Sequence, residues 1–116
     1  MSYVDGYVIP VPKSKVDQYK KMAKIGYKMW TKAGALDYKE CVGEDLKNSW
    51  GTPFTSNMKL KAGETVVFAY IVFKSRAHRD KVNSKVMKQM EKHGEQPTMP
   101  FDVKRMVYGG FKTIVE

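Results

Sequence analysis

The order of apolar segments along this chain predicts an α+β fold, with one antiparallel sheet and two helices on one of its faces. Segments rich in β-branched and aromatic residues alternate with two segments of helical periodicity, in the order strand, helix, strand, strand, helix, strand. This is the ferredoxin-like, or split βαβ, order, in which the first and third strands are central. With 116 residues, the chain has room for one domain, residues 1–116.

Prolines, glycines and capping residues mark the first strand and the first helix. Residues 3–11 are mostly apolar and end among prolines, which predicts a strand. Ser14 followed by Asp17 matches a helix-capping pattern, and apolar side chains then recur at helical spacing as far as Gly34. We therefore expect a helix of about five turns before Gly34.

The chain after Gly34 contains the other four elements. Residues 35–42 and 64–73 are predicted to be strands, and residues 105–115 the last strand. Between them, Ser75 is expected to cap a helix that continues to about His93, because apolar residues recur there at every fourth position.

The third predicted strand has apolar side chains on both of its faces. Every residue from 66 to 73 is apolar, whereas a strand with helices on one side and water on the other should alternate. The chain has no further predicted element to cover the second face. We therefore expect a second copy of the same sheet to pack there, which makes a homodimer in the form of a dimeric α+β barrel.

Four blocks of this sequence resemble one known family. They are YVDGYVIPVP, GALDYKECVGED, ETVVFAYIVFKSRAHRDKVNSKVM and MPFDVKRMVYGGF. In this order and spacing they are similar to the YbaA-like family, domain of unknown function 1428, within the dimeric α+β barrel superfamily. The resemblance implies a ferredoxin-like protomer that pairs through its sheets, and it implies no activity. The chain departs from the family pattern at Val103 and around residues 49–58.

The net charge of +9 raises the question of a nucleic-acid partner. Nearly all of the cations are lysines, and half of the lysines lie in stripes on the outer faces of the two predicted helices, where lysines are usually solvated. The arginines, whose guanidinium groups can bind phosphate with two parallel hydrogen bonds, are Arg76, Arg79 and Arg105. We expect no specific nucleic-acid partner, and nonspecific RNA binding is a weaker alternative.

Other features exclude several classes of protein. No apolar run approaches the roughly 20 residues that span a bilayer, so no membrane partner is expected. The single cysteine, Cys41, and the lack of a signal peptide predict a cytoplasmic protein. We expect Cys41 itself to be a small core residue. Because His78, His93 and Cys41 have no ligand spacing, we expect neither a metal nor a cofactor.

The first strand carries the main candidate site. Alternation places Asp5 and Tyr7 on one face of this strand and the smaller residues Val4, Gly6 and Val8 on the other. Because small residues suit packing beneath helices, we expect Asp5 on the face without helices, inside the dimer. A carboxylate there needs a cation, and Arg105 on the last strand is the expected partner. Asp5 then belongs to a structural ion pair or to a hydrogen-bonded Tyr–Asp cluster. Alternatively, it is a ligand-binding residue or a general base that acts with Tyr7 in a pocket bounded by Tyr70 and Arg105.

Two further candidates lie in the second helix, where Arg79 and Asn83 fall within its apolar arc. They are expected to bond the loop at residues 99–102 or, alternatively, to line a ligand pocket and bind an oxyanion. The segment at residues 44–63 is long for a connection between strands and contains Trp50 and Phe54. We expect it to pack on the protomer or across the dimer, or else to close a pocket as a lid.

These observations predict a protein that binds a small molecule or a protein partner without known catalysis. The alternative is a cofactor-independent enzyme of oxygenase or isomerase type, with Asp5 and Tyr7 as its catalytic candidates and Arg79 or Asn83 as the oxyanion donor.

Overall fold

A four-stranded antiparallel sheet forms the centre of the computed structural model, which describes residues 1–92 and 99–116. The strands are β1 (Tyr3–Pro12), β2 (Asp37–Val42), β3 (Glu64–Phe73) and β4 (Val107–Lys112). The α-helices are α1 (Val16–Ala33), α2 (Phe54–Asn57) and α3 (Arg76–Lys92). The strand order is β2-β3-β1-β4, so the first and third strands are central and the predicted α+β class is confirmed.

The predicted element boundaries hold best in the centre of the sheet. β3 has the predicted bounds, β1 is one residue longer, and β2 begins at Asp37 rather than at residue 35. The last strand begins at Val107, because residues 103–105 form a short 3-10 turn that contains Arg105. The predicted end of α3 at His93 lies outside the described residues.

Of the two predicted caps, one is confirmed and one is wrong. The hydroxyl of Ser75 accepts a hydrogen bond from the His78 backbone N–H at 3.1 Å, at the start of α3. Ser14 lies within a 3-10 turn, and the residue before α1 is Lys15, which makes no side-chain capping bond. At the other end of α1, Gly34 has φ 121°, a conformation that favours glycine and ends the helix.

The helices α1 and α3 cover one face of the sheet, which we call the helix face. The buried core on this face comprises Ile9, Val11, Tyr19, Val67, Ala69, Ile71, Phe73, Val82 and Val86. Full burial of one such aliphatic side chain stabilises the fold by about 1.5–3 kcal/mol. Val82 and Val86, one turn apart on α3, are completely buried against Ile71 and Phe73. This packing fixes α3 over the centre of the sheet.

The opposite face of the sheet, which we call the open face, is also apolar. Its larger apolar residues are Val4, Val8, Val66, Phe68, Tyr70, Val72, Val107 and Phe111. Phe68 is 47% exposed and Phe111 is 61% exposed in the isolated chain. The two-sided apolar character of the third strand is therefore confirmed, with Ile71 on the helix face and Val72 on the open face.

The segment at residues 44–63 covers one corner of the open face. Leu46 and Phe54 lie beside Val66, which is buried. Trp50, in contrast, is 90% exposed, so its ring does not pack on the same protomer. Within the described residues, no helix has the length and apolarity needed to span a bilayer.

Arg105 fixes the start of β4 to the start of β3. Its guanidinium donates to both carboxylate oxygens of Glu64, at 2.6 and 2.9 Å, and to the carbonyl oxygen of Lys59 at 3.2 Å. The hydrogen bonds from Arg105 lower the pKa of Glu64 to about 2. The expected pairing of Arg105 with Asp5 is wrong, because the turn at residues 103–105 places Arg105 beside Glu64.

Candidate functional site

Asp5 lies on the helix face of β1 and is completely buried, so its predicted place on the open face is wrong. The prediction assumed that the small residues of β1 pack beneath the helices. Instead, the bulky residues Tyr3, Asp5 and Tyr7 fill the space between β1 and the helices, and Val4 and Val8 face away. The interior of this protein therefore contains a carboxylate that needs partners there.

Both partners of Asp5 come from α3. Arg79 donates to one carboxylate oxygen of Asp5 at 2.6 Å, and the Asn83 amide donates to the other at 3.4 Å. Asn83 in turn accepts a hydrogen bond from the Trp30 indole at 2.9 Å, which joins α1 to the same network. Arg79 and Asn83 therefore lie in the apolar arc of α3 because they bond Asp5, and not the loop at residues 99–102 as we expected.

The Arg79 guanidinium has two further contacts that hold it in place. It donates to Asp80 at 2.7 Å, and its central carbon lies 4.9 Å from the centre of the Tyr3 ring, a cation–π geometry. Burial disfavours the charged form of Arg79, but hydrogen bonds to Asp80 and Asp5 outweigh it and raise the pKa of Arg79. Arg79 therefore stays charged throughout the ordinary pH range.

Gly110 on β4 provides the space that this ion pair needs. It lies opposite Asp5 in the sheet, and a Cβ at this position would stand 2.8 Å from Arg79 Nη1 and closer still to the Tyr3 hydroxyl. The neighbouring Gly109 is different, because its Cβ would meet the Phe111 ring at an ordinary 3.7 Å. Gly110 therefore leaves the room that the side chains of Arg79 and Tyr3 occupy.

A second polar cluster on the helix face was not predicted. Glu40 on β2 accepts hydrogen bonds from the hydroxyls of Tyr38, at 2.6 Å, and Tyr19. Burial and the bond to Glu40 raise the pKa of both tyrosines, and burial together with Asp5 raises that of Tyr7. All three hydroxyls are therefore protonated in the ordinary pH range. The spacing Tyr38-x-Glu40 places both residues on one face, and this signal could have revealed part of the cluster.

The pocket proposed for a catalytic Asp5 is not formed by the residues expected to bound it. Tyr70 lies on the open face opposite Gly6, whereas Asp5 and Tyr7 are on the helix face and Arg105 bonds Glu64. In addition, the two carboxylate oxygens of Asp5 already accept hydrogen bonds from α3. The arrangement therefore orders α3 on the sheet and leaves Asp5 poorly placed to take a proton from a ligand.

The open face carries an apolar cavity of about 250 Å³ beneath the segment at residues 44–63. It is lined by Cys41, Val42, Gly43, Leu46, Phe54, Val66 and Phe68. Cys41 is exposed there and is not the core residue that we expected. Among residues 1–92 and 99–116, no three His, Cys, Asp or Glu side chains come together as a metal site would require.

Gly110→Ala tests the ion pair directly. The added methyl group must displace Arg79 or Tyr3, which breaks a buried ion pair, so we expect the free energy of unfolding to fall by about 3 kcal/mol. Gly109→Ala, the matched control, should cost less than about 1 kcal/mol. Urea unfolding followed by circular dichroism measures both values. Equal stability of Gly110→Ala and the wild type would contradict the described packing.

Comparison with known proteins places the chain in a family. The family described as "Protein of unknown function (DUF1428)" matches residues 2–103. "Uncharacterized protein YbaA" of Escherichia coli K12 is 41% identical over 118 aligned positions, covering 100% of this chain and 99% of the relative, and the protein of that name in Shigella flexneri matches equally. The designed protein Foldit4 covers both chains fully with 13% identity and a TM-score of 0.45, too low to establish a shared fold. The resemblance predicted from the four sequence blocks is confirmed, and the chain belongs to the DUF1428 family.

Proposed function

We propose that this protein is a homodimer of ferredoxin-like protomers, paired through their open faces, that binds a small apolar molecule without transforming it. The observation that carries the proposal is the apolar cavity on the open face, beside exposed apolar side chains. The strand order β2-β3-β1-β4 supports the ferredoxin-like part of the proposal.

The composition of the open face supports pairing with a second copy. Every residue that β1 and β4 place on this face is apolar or glycine. The charged residues that β2 places there, Asp37 and Lys39, lie at the edge of the sheet and bond each other at 3.0 Å. Glu64, at the first position of β3, also lies on this face and is paired with Arg105. An uncharged centre with a polar edge is typical of an interface between subunits. A second copy supplies an identical apolar surface, and no other partner is required.

The cavity lining supports an apolar ligand. Side chains such as Leu46, Phe54, Val66 and Phe68 give it an almost entirely hydrocarbon surface. Cavities of about 150 Å³ with such walls bind benzene. A volume of about 250 Å³ therefore suits a ligand with one or two small rings.

The enzyme alternative has weaker support. A cofactor-independent oxygenase or isomerase needs a carboxylate or another base that is free to take a proton. The carboxylate of Asp5 is held by Arg79 and Asn83, and the hydroxyls of Tyr19 and Tyr38 are held by Glu40. These bonds favour a structural role for the buried polar groups.

Indole is a suitable probe of the cavity. In the variant Leu46→Trp, the larger side chain at position 46 should occupy the cavity itself. We expect calorimetry to detect indole binding to the wild type and at least about tenfold weaker binding to Leu46→Trp. Leu60→Trp is the matched control, because Leu60 lies in the same segment but outside the lining, and it should bind indole as the wild type does. Equal binding by both variants, or no binding by the wild type at millimolar indole, would contradict the proposed site.

Light scattering tests the homodimer. The wild type should have a mass of about twice 13.3 kDa at low micromolar concentration. Val72→Asp introduces a carboxylate on the open face and should give aggregated or unfolded protein. Ile25→Asp, on the exposed side of α1, is the control and should remain a dimer. A monodisperse wild-type monomer at this concentration would rule out the dimer.

A further inference from the structure

The C-terminal end of α1 and the second half of α3 enclose a groove on the side of the protein opposite the open face. Its volume is about 550 Å³, and it is lined by Lys32, Ala33, Lys85, Lys88, Gln89 and Lys92. Four of these six side chains are cationic, and the lining contains no carboxylate. The groove therefore gathers four positive charges on one open, shallowly concave surface.

The spacing of residues along α3 explains how the lysines converge. Lys85, Lys88, Gln89 and Lys92 follow each other at intervals of three, one and three residues, which places them on one face of the helix. The small side chain of Ala33 leaves room in front of them, and Lys32 contributes the fourth cation from α1.

The charge of the groove is not neutralised by the described carboxylates. The ion pairs found in residues 1–92 and 99–116 join Asp5 and Asp80 to Arg79, Asp37 to Lys39, and Glu64 to Arg105. On α3, Asp80 is bonded to Arg79, and Glu91 lies outside the groove lining. Like charges that line one groove repel one another, and an anion with several charges would relieve this repulsion.

We propose that this groove binds a small anion that carries two or more phosphate groups. Lysine ammonium groups act as point charges for phosphate oxygens, and the Gln89 amide offers an additional donor. Convergence of cations from two helices on one concave site favours a compact anion. A nucleic acid would instead follow the long lysine stripes, which include Lys20 and Lys21 outside the groove.

Inorganic tripolyphosphate is the probe, and calorimetry at about 150 mM salt measures its affinity. We expect the double variant K85Q/K88Q to bind it at least about tenfold more weakly than the wild type does. The control K20Q/K21Q removes the same charge from the first turns of α1 and should change the Kd by less than about twofold. Glutamine removes the charge and has a helix propensity close to that of lysine, and circular dichroism verifies that both variants fold.

Several results would overturn the proposal. One is the absence of tripolyphosphate binding by the folded wild type, and another is an equal loss of affinity in the two double variants. A third is tighter binding of a single-stranded oligonucleotide than of tripolyphosphate, with both variants weakened alike, which would indicate diffuse contact with nucleic acid. The groove lies apart from the cavity on the open face, so this test is independent of the indole and light-scattering experiments.

Discussion

The arrangement of this protein depends on a central strand, β3, that is apolar on both faces. Ile71 and Phe73 are buried on the helix face by α3, whereas Phe68 and Val72 face away from the helices. Burial of a large apolar side chain is worth about 1.5–3 kcal/mol, so an uncovered open face would leave substantial stabilisation unused. This imbalance is the physical reason to propose that a second sheet covers it. The same face contains the apolar cavity beside Leu46 and Phe54.

The buried ion pair between Asp5 and Arg79 is the second constraint, and it connects β1, β4 and α3. Breaking such a pair by removing one partner typically costs about 3–5 kcal/mol, because the other charge remains buried alone. Asp5 needs Arg79, and Arg79 has access to Asp5 because Gly110 carries no side chain. The same bonds that orient α3 occupy the Asp5 carboxylate, which argues for a structural and not a catalytic role.

Local patterns predicted the fold class, the bounds of β3 and the Ser75 cap, because apolar runs and capping residues act over a few positions. The face of Asp5 was predicted wrongly, since the tyrosines that fill the space beneath the helices and the glycine that admits Arg79 lie on different elements. The partner of Arg105 was also predicted wrongly. A short turn places Arg105 before the start of β4, where it pairs with Glu64 and not with Asp5. Long-range partners of this kind leave no local signal in the sequence. The spacing Tyr38-x-Glu40 is such a local signal, because it places both residues on one face of a strand.

The most direct test of the central claim is the solvent accessibility of the open face in solution. Phe68 and Tyr27 have nearly equal exposure in the isolated chain, 47% and 50%, but they lie on the open face and on α1 respectively. Fluorine-labelled side chains at the two positions can be compared by ¹⁹F NMR with a soluble paramagnetic relaxation agent. If a second sheet covers the open face, the label at position 27 should relax strongly and the label at position 68 only a little. Equal relaxation of both labels would show that the open face is exposed to water and that no second sheet covers it.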